Sequence, residues 1–163
     1  MNISMIAAMG KNRVIAVNNQ IPWNLMNDLL WFQQHTINKP VIMGRITYES
    51  LKKPLYNRMN IVISKTTHTE NSHVIWVNSV EEALSVSDKS SEIMIIGGEK
   101  IYKIFLPYAN KLYLTHVDIN IYGELKFPNY HYYNWNIIFK KKYKMNINNS
   151  HNYQFEILKK VDN

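Results

Sequence analysis

The chain has 163 residues, 46% of them hydrophobic and 12% aromatic, with a formal net charge of +7 and no cysteine. That length and apolar content suit one domain with a proper core and exclude a disordered chain. The missing cysteines exclude disulfides, thiolate nucleophiles and Cys-type zinc sites. No apolar run approaches the roughly 20 residues of a membrane span, and the start "MNISMIAAMGKNR" lacks the order of a signal peptide, so a cytoplasmic location is expected.

In chain order, "ISMIAAM" (3–9) followed by Gly10 reads as a buried strand, and the polar stretch from Gly10 to Asn24 as a long excursion. "QIPWNLMNDLLWF" (20–32) leads into an amphipathic helix. At about 100° per residue, with Leu25 at zero, Leu29 falls at about 40°, Phe32 at about 340° and Asp28 at about 300°. The acid therefore shares the apolar face. A buried charge without a partner is costly, so Asp28 is either an edge acid paired by a neighbour or an acid kept for a ligand's donors.

"PVIMG" (40–44) is a second buried strand, leading through Gly44-Arg45 into a short helix from near Thr47 to Leu51. "NIVIS" (60–64) and "HVIWV" (73–77) read as further strands. "SVEEALSV" (79–86) is a helix whose Ser79 and Glu82 have capping-box spacing. "EIMIIGGEKIYKIFL" (92–106) is strand, double glycine and helix, ended by Pro107. Strands near 111–118, 135–144 and 151–160 follow, the last two joined as a hairpin through Asn148-Asn149.

The alternation of strand and helix predicts an α/β fold with a largely parallel sheet covered on both faces, closed by an antiparallel hairpin. Ligands of such sheets bind at the carboxyl ends of the strands. Asp28, Arg45, Ser64 and Gly97-Gly98 all stand just after a strand or at the opening of a helix, where they can share that crevice.

The positive balance raises a nucleic-acid reading. Its densest run, Lys140-Lys141-Lys142 with Lys144, lies in the strand-like "IIFKKKYKMNI", where charges blunt a sheet edge. Edge protection outweighs a nucleic-acid patch. "IIGGEKIY" is either a tight structural turn or a place where backbone N–H groups approach an anion. "MGRIT" is either a surface arginine at a turn or a phosphate fork, and "ISK" sets a hydroxyl and an ammonium at a strand end. Arg58 is a surface ion-pair partner or a clamp on a carboxylate. Trp23 and Trp31 are core or pocket walls. The histidines at 35, 68, 73, 116, 131 and 151 have no metal-ligand spacing, so no metal is expected.

Together, "MIAAM", "IPWN" with Asp28 and "LLWF", "KPVIMGR" with Thr47, "PL" with Arg58, "NIVIS", "IMIIGG", "KLYLTHVD", "FP" with Tyr130 and "NSHNYQFEIL" resemble the bacterial dihydrofolate reductase family over essentially the full length. The resemblance implies an eight-stranded, mostly parallel twisted sheet flanked by helices, in a single domain spanning 1–163. It also implies reduction of 7,8-dihydrofolate to tetrahydrofolate by NADPH. By the same resemblance Asp28 is the active-site carboxylate, supported by Thr115 and grouped with Trp23, and desolvation by Leu29, Trp31 and Phe32 raises its pKa. Ile6, Phe32 and Leu55 form substrate walls, Arg58 clamps the α-carboxylate of the glutamate tail, and Lys53, where relatives often carry Arg, adds a contact.

The implied cofactor set begins with Ala8 and the mobile lid, through Val14, Ile15, Ala16, Val17, Asn18, Asn19 and Gln20. Arg45, Ser64 and Lys65 would surround the 2′-phosphate, Thr47 and the helix after Gly98 would cradle the pyrophosphate, and Ile46 and Asn78 belong to the same set. Ile96, Gly97, Gly98, Glu99, Lys100, Ile101, Tyr102 and Ile104 complete it, with a cis peptide at Gly97-Gly98. Ile46, Lys100, Glu99 and Ala16 depart from commoner family residues. The implied partners are dihydrofolate and antifolate inhibitors, with no nucleic acid or membrane, for a monomer. Two alternatives are a same-fold reductase of another pterin-like or ribosylated pyrimidine substrate, and a basic nucleic-acid-binding domain.

Overall fold

The computed structural model describes residues 1–66 and 70–162, so His68 lies outside the described residues. In chain order the elements are β1 (Asn2–Met9), β2 (Val14–Ala16), α1 (Met26–Thr36), β3 (Pro40–Gly44), α2 (Arg45–Leu51), β4 (Met59–Ile63), β5 (Val74–Val77) and α3 (Val80–Ser87). β6 (Glu92–Gly97), α4 (Glu99–Phe105), β7 (Lys111–Val117), β8 (Leu125–Lys126), β9 (Trp135–Tyr143) and β10 (Tyr153–Lys160) follow. The continuous apolar runs become central strands, buried on both faces as parallel strands must be.

Eight strands form one sheet in the order β5-β4-β3-β6-β1-β7-β10-β9. From β5 to β7 every neighbouring pair is parallel, while β10 runs antiparallel to both β7 and β9. One face packs Met5, Ala7, Ile42 and Ile95 against Ala83 of α3 and Phe105 of α4. The other packs Val41, Met43, Val62 and Met94 with Trp31 of α1, and Tyr48 of α2 rests on it. The helices after β1 and β6 thus lie on opposite faces of the sheet. Since these strands are neighbours, a crevice opens at their carboxyl ends.

The excursion after Gly10 carries structure that its polar composition did not suggest. β2 pairs with the two-residue β8 in a small second sheet, and both strands are too short for a periodicity to register. The β9–β10 connection turns at Ile147-Asn148, flanked by the Asn146–Asn149 bridge, and not at Asn148-Asn149. Ser79 caps α3 by accepting from Glu82 N at 3.1 Å, but the Glu82 carboxylate reaches Asn78 N at 2.8 Å, one residue beyond the reciprocal box. The lysine run falls on β9, an edge strand, where its charges oppose further strand addition.

The displaced turn has a purpose in α1. Its N-cap position is Leu25, which offers no side-chain acceptor. Instead Asn148 O accepts from Met26 N and Asn149 Oδ1 accepts from Asn27 N, both at 3.1 Å, and Asn27 Nδ2 donates to the Tyr153 hydroxyl. Asn149 is only 1% exposed, so the helix is capped from 122 residues away. Asn149→Ala should therefore cost about 1–2 kcal/mol, seen as a lower midpoint in urea. Asn148→Ala, which keeps its carbonyl, should stay within about 0.5 kcal/mol of the parent.

Candidate active site

Asp28 sits in the first turn of α1. Thr115, 1% exposed on β7 and in register with Ala8 and Phe155, donates its hydroxyl to Asp28 Oδ1 at 2.6 Å. Burial pushes the carboxyl up from its ordinary 3.8 to about 6, and the Thr115 hydrogen bond pulls the other way. Desolvation prevails because a hydroxyl offsets only part of what water would supply.

The source of that burial differs from expectation at one residue. Leu25 and Trp31 are buried and Phe32 partly so, but Leu29 is 66% exposed. α1 lies along the rim of the crevice, so this side of its apolar stripe faces open space rather than core. Leu29 is an uncovered apolar surface one residue after the acid, and Trp31, three residues on, is buried and stacked on Phe155 at 4.2 Å.

Tyr102 is buried and donates its hydroxyl to Ile6 O at 2.7 Å, tying α4 to β1 across the crevice. Burial first, and the Asp28 charge second, push its phenol well above the usual range. Gly97 and Gly98 meet in a cis peptide, and the register of β6 against β3 skips Ile96 just before it. Gly97 has φ +119, and a Cβ there would lie 3.1 Å from the Tyr102 oxygen. At Gly98 a Cβ would stand 3.4 Å from Thr47 Oγ1. The hollow between the starts of α2 and α4 is therefore kept open by glycine. Neither helix start has a side-chain cap, which leaves backbone donors for an anion.

Arg58 comes from the loop before β4. Asn60, 2% exposed, holds that loop by accepting from Leu55 N and donating to the Leu55 and Arg58 carbonyls, each at 2.9 Å. The guanidinium lies 6.0 Å from the Phe32 ring. Its Nε donates to Tyr56 O at 2.9 Å and its Nη1 to Thr36 Oγ1 at 3.0 Å. Sequence reading gave no role to Asn60 or Thr36 and named Asn149 only as a turn residue. Only Asn60, a lone amide opening an apolar strand, left a signal.

Other expected residues fall into two groups. Ile6 and Trp23 are buried with Ala8, Phe32, Leu55 and Ile96 packed against the same core, while Lys53, Lys65, Lys100, Ile46, Asn78 and Ile104 are exposed. Ile101 is buried beneath Gly44, 3.3 Å from where a Cβ would stand. Arg45 Nη1 pairs with Glu49 at 2.7 Å on the surface, and the buried Ser64 hydroxyl meets Thr66 Oγ1 at 3.0 Å.

In the excursion after Gly10, Val17 and Gln20 exchange backbone hydrogen bonds at 2.9 Å around Asn18 and Asn19, whose φ values of 50 and 60 make a tight hairpin turn. Ile15 and Ala16 are partly buried. Val14 is 1% exposed, its carbonyl accepting from Gly10 N. The Glu99 carboxylate accepts from Lys103 Nζ and Lys126 N, each at 2.7 Å, so its side chain ties α4 to β8.

A family model described as dihydrofolate reductase matches residues 2–160. The chain belongs to the dihydrofolate reductase family. A dihydrofolate reductase of Buchnera aphidicola subsp. Acyrthosiphon pisum is 54% identical over 160 residues, covering 97% of this chain and 99% of the relative. That of Haemophilus influenzae is 43% identical, covering 97% and 98%. Among solved structures, the dihydrofolate reductase of Enterococcus faecalis complexed with NADP(H) and RAB-propyl superposes with a TM-score of 0.89 at 28% identity, covering 99% of this chain and 97% of that one.

For this member of the dihydrofolate reductase family, the Asp28 shift has a linked effect on stability. The folded chain holds this proton up to about pH 6, whereas the unfolded chain releases it near 3.8. Stability from this group is therefore full at the acid end and lost as pH rises through 6. Asp28→Asn should gain roughly 2–3 kcal/mol over the parent at pH 7–8. In urea melts across the pH range, that gain should shrink to nothing below about pH 4.

Proposed function

We propose that this chain, a single-domain monomer of the cytoplasm, reduces 7,8-dihydrofolate to 5,6,7,8-tetrahydrofolate with NADPH. The observation carrying this reading is the Asp28 carboxyl, steadied by Thr115 in the crevice and titrating at about 6. Its remaining acceptor sites suit the paired N–H donors on the amidine-like edge of a pterin. A carboxyl with that pKa can hold a proton near neutrality and pass it, through a water and the pterin tautomer, to the ring nitrogen beside the hydride acceptor. Trp23 shields this path. The residues supply positioning and electrostatics rather than covalent chemistry.

Ile6, Phe32 and Leu55 wall the pterin and benzoyl parts, Leu29 covers them from the rim, and Arg58 takes the glutamate α-carboxylate, with Lys53 near the tail. Antifolates that present the same paired donors to Asp28 would occupy the same cleft. NADPH, when bound, supplies the hydride. The glycine-lined hollow between α2 and α4 fits its pyrophosphate, with Thr47 Oγ1 and the N–H groups after Gly98 as donors. Ala8, Ile15 and Tyr102 flank the nicotinamide position. Arg45, Ser64 and Lys65 are assigned to the 2′-phosphate. Arg45 must leave Glu49 for this, at little cost because that pair is exposed.

Following NADPH absorbance with and without dihydrofolate tests the reaction, and absence of dihydrofolate-dependent oxidation overturns it. Asp28→Asn should lower the rate at pH 7 by roughly 10²–10⁴, with much of the loss recovered in acid, where solvent protonates the substrate. Discrimination of NADPH over NADH should reach at least about tenfold in kcat/KM, from charge-assisted bonds of about 1.5–3 kcal/mol. Equal use of both cofactors removes the 2′-phosphate assignment.

A further inference from the structure

We propose that Thr36 is the positioning residue of the Arg58 clamp, and that its hydroxyl makes the cleft favour substrates that carry the carboxylate tail. This deepens the reading of Arg58 given above and rests on it. Thr36 closes α1 and is completely buried. Its single hydroxyl proton is donated to Phe32 O at 2.7 Å. The lone pairs are then the only groups left to face Arg58, and Nη1 donates to them at 3.0 Å. The direction of both bonds is forced, since guanidinium has no acceptor.

Of the five guanidinium N–H groups, one on Nε goes to Tyr56 O and one on Nη1 to Thr36. Three remain, two on Nη2 and one on Nη1. With Nε committed, the side-on fork is lost, and the end-on pair is what can take both oxygens of a carboxylate. Phe32 and Arg58, the wall for an aromatic ring and the clamp for a carboxylate, are thus attached to the same hydroxyl. Bonding of a threonine to the carbonyl four residues earlier is common at helix ends and needs no function. Accepting from an arginine that lies beside the Phe32 ring and keeps three N–H groups uncommitted by these bonds is the added feature.

Thr36→Val keeps the branched shape and removes the hydroxyl. The Phe32 carbonyl lies inside the helix, where the backbone ladder supplies a partner, and the half-exposed Arg58 can turn to water. The expected result is a rise in KM for dihydrofolate of roughly tenfold, with kcat within about twofold. For 6-methyl-7,8-dihydropterin, which lacks the aminobenzoylglutamate, kcat/KM should be unchanged. Thr36→Ser should restore the parent KM. The ratio of kcat/KM for the two substrates cancels the amount of folded enzyme, so it remains decisive even if a variant is partly unfolded. An unchanged ratio in Thr36→Val, or no rescue by serine, overturns the proposal. Arg58→Leu measured alongside separates the two levels. If it affects both substrates alike, the clamp reading itself fails. If it is tail-selective while Thr36→Val is not, only the role of Thr36 fails.

Discussion

Placement of α1 is the constraint on which the cleft depends, and it is secured at both ends by polar groups from distant parts of the chain. At its start, Asn148 and Asn149 supply acceptors that the local sequence lacks. Just past its end, Lys39 donates to Glu92 at 2.7 Å, and the same carboxylate accepts from Ser4 and Tyr113. Between them Trp31 stacks on Phe155. Rotating the helix by one residue would swing Asp28 through about 100° and part it from Thr115. Polar groups at the ends thus define the rotation, and the aromatic stack defines the depth.

The crevice divides its tasks between the two faces of the sheet. On the α1 side, a carboxylate is dehydrated enough to keep a proton near neutral pH while one hydroxyl prevents it from being orphaned. On the α4 side, the groups on offer are backbone donors around glycines, with Tyr102 fastened to β1 below them. An acid and an anion-seeking hollow would conflict if they were adjacent. Here the strand order β3-β6-β1-β7 sets one strand, β1, between β7, which holds Asp28, and the end of β6, where the hollow lies.

The central strands were legible because fully buried parallel strands leave short, nearly continuous apolar runs bounded by polar residues, Gly or Pro. The resemblance located Asp28 and Thr115, which the structure brings to 2.6 Å. Features decided by distant partners were not legible. The cap of α1 lies 122 positions away, and a two-residue strand such as β8 carries no pattern. Leu29 has the right helical phase for the core, yet phase reports only which side a residue faces, not whether that side is covered. Thr36 and Val14 are ordinary members of their segments, and only the partners they meet in space separate one from the other.

Because the cap of α1 comes from so far downstream, the timing of synthesis matters. A ribosome finishes α1 long before Asn149 is made, and the helix start has no acceptors of its own to close it. Until β10 joins β7, Trp31 also lacks the Phe155 surface. Until Asn149 and Phe155 are made, the emerging chain therefore has a helix start without its cap and Trp31 without its stacking partner. That is the kind of apolar surface by which nascent chains aggregate or engage chaperones. The cap and the stacking surface of the helix that carries Asp28 are consequently the last parts of that arrangement to be made.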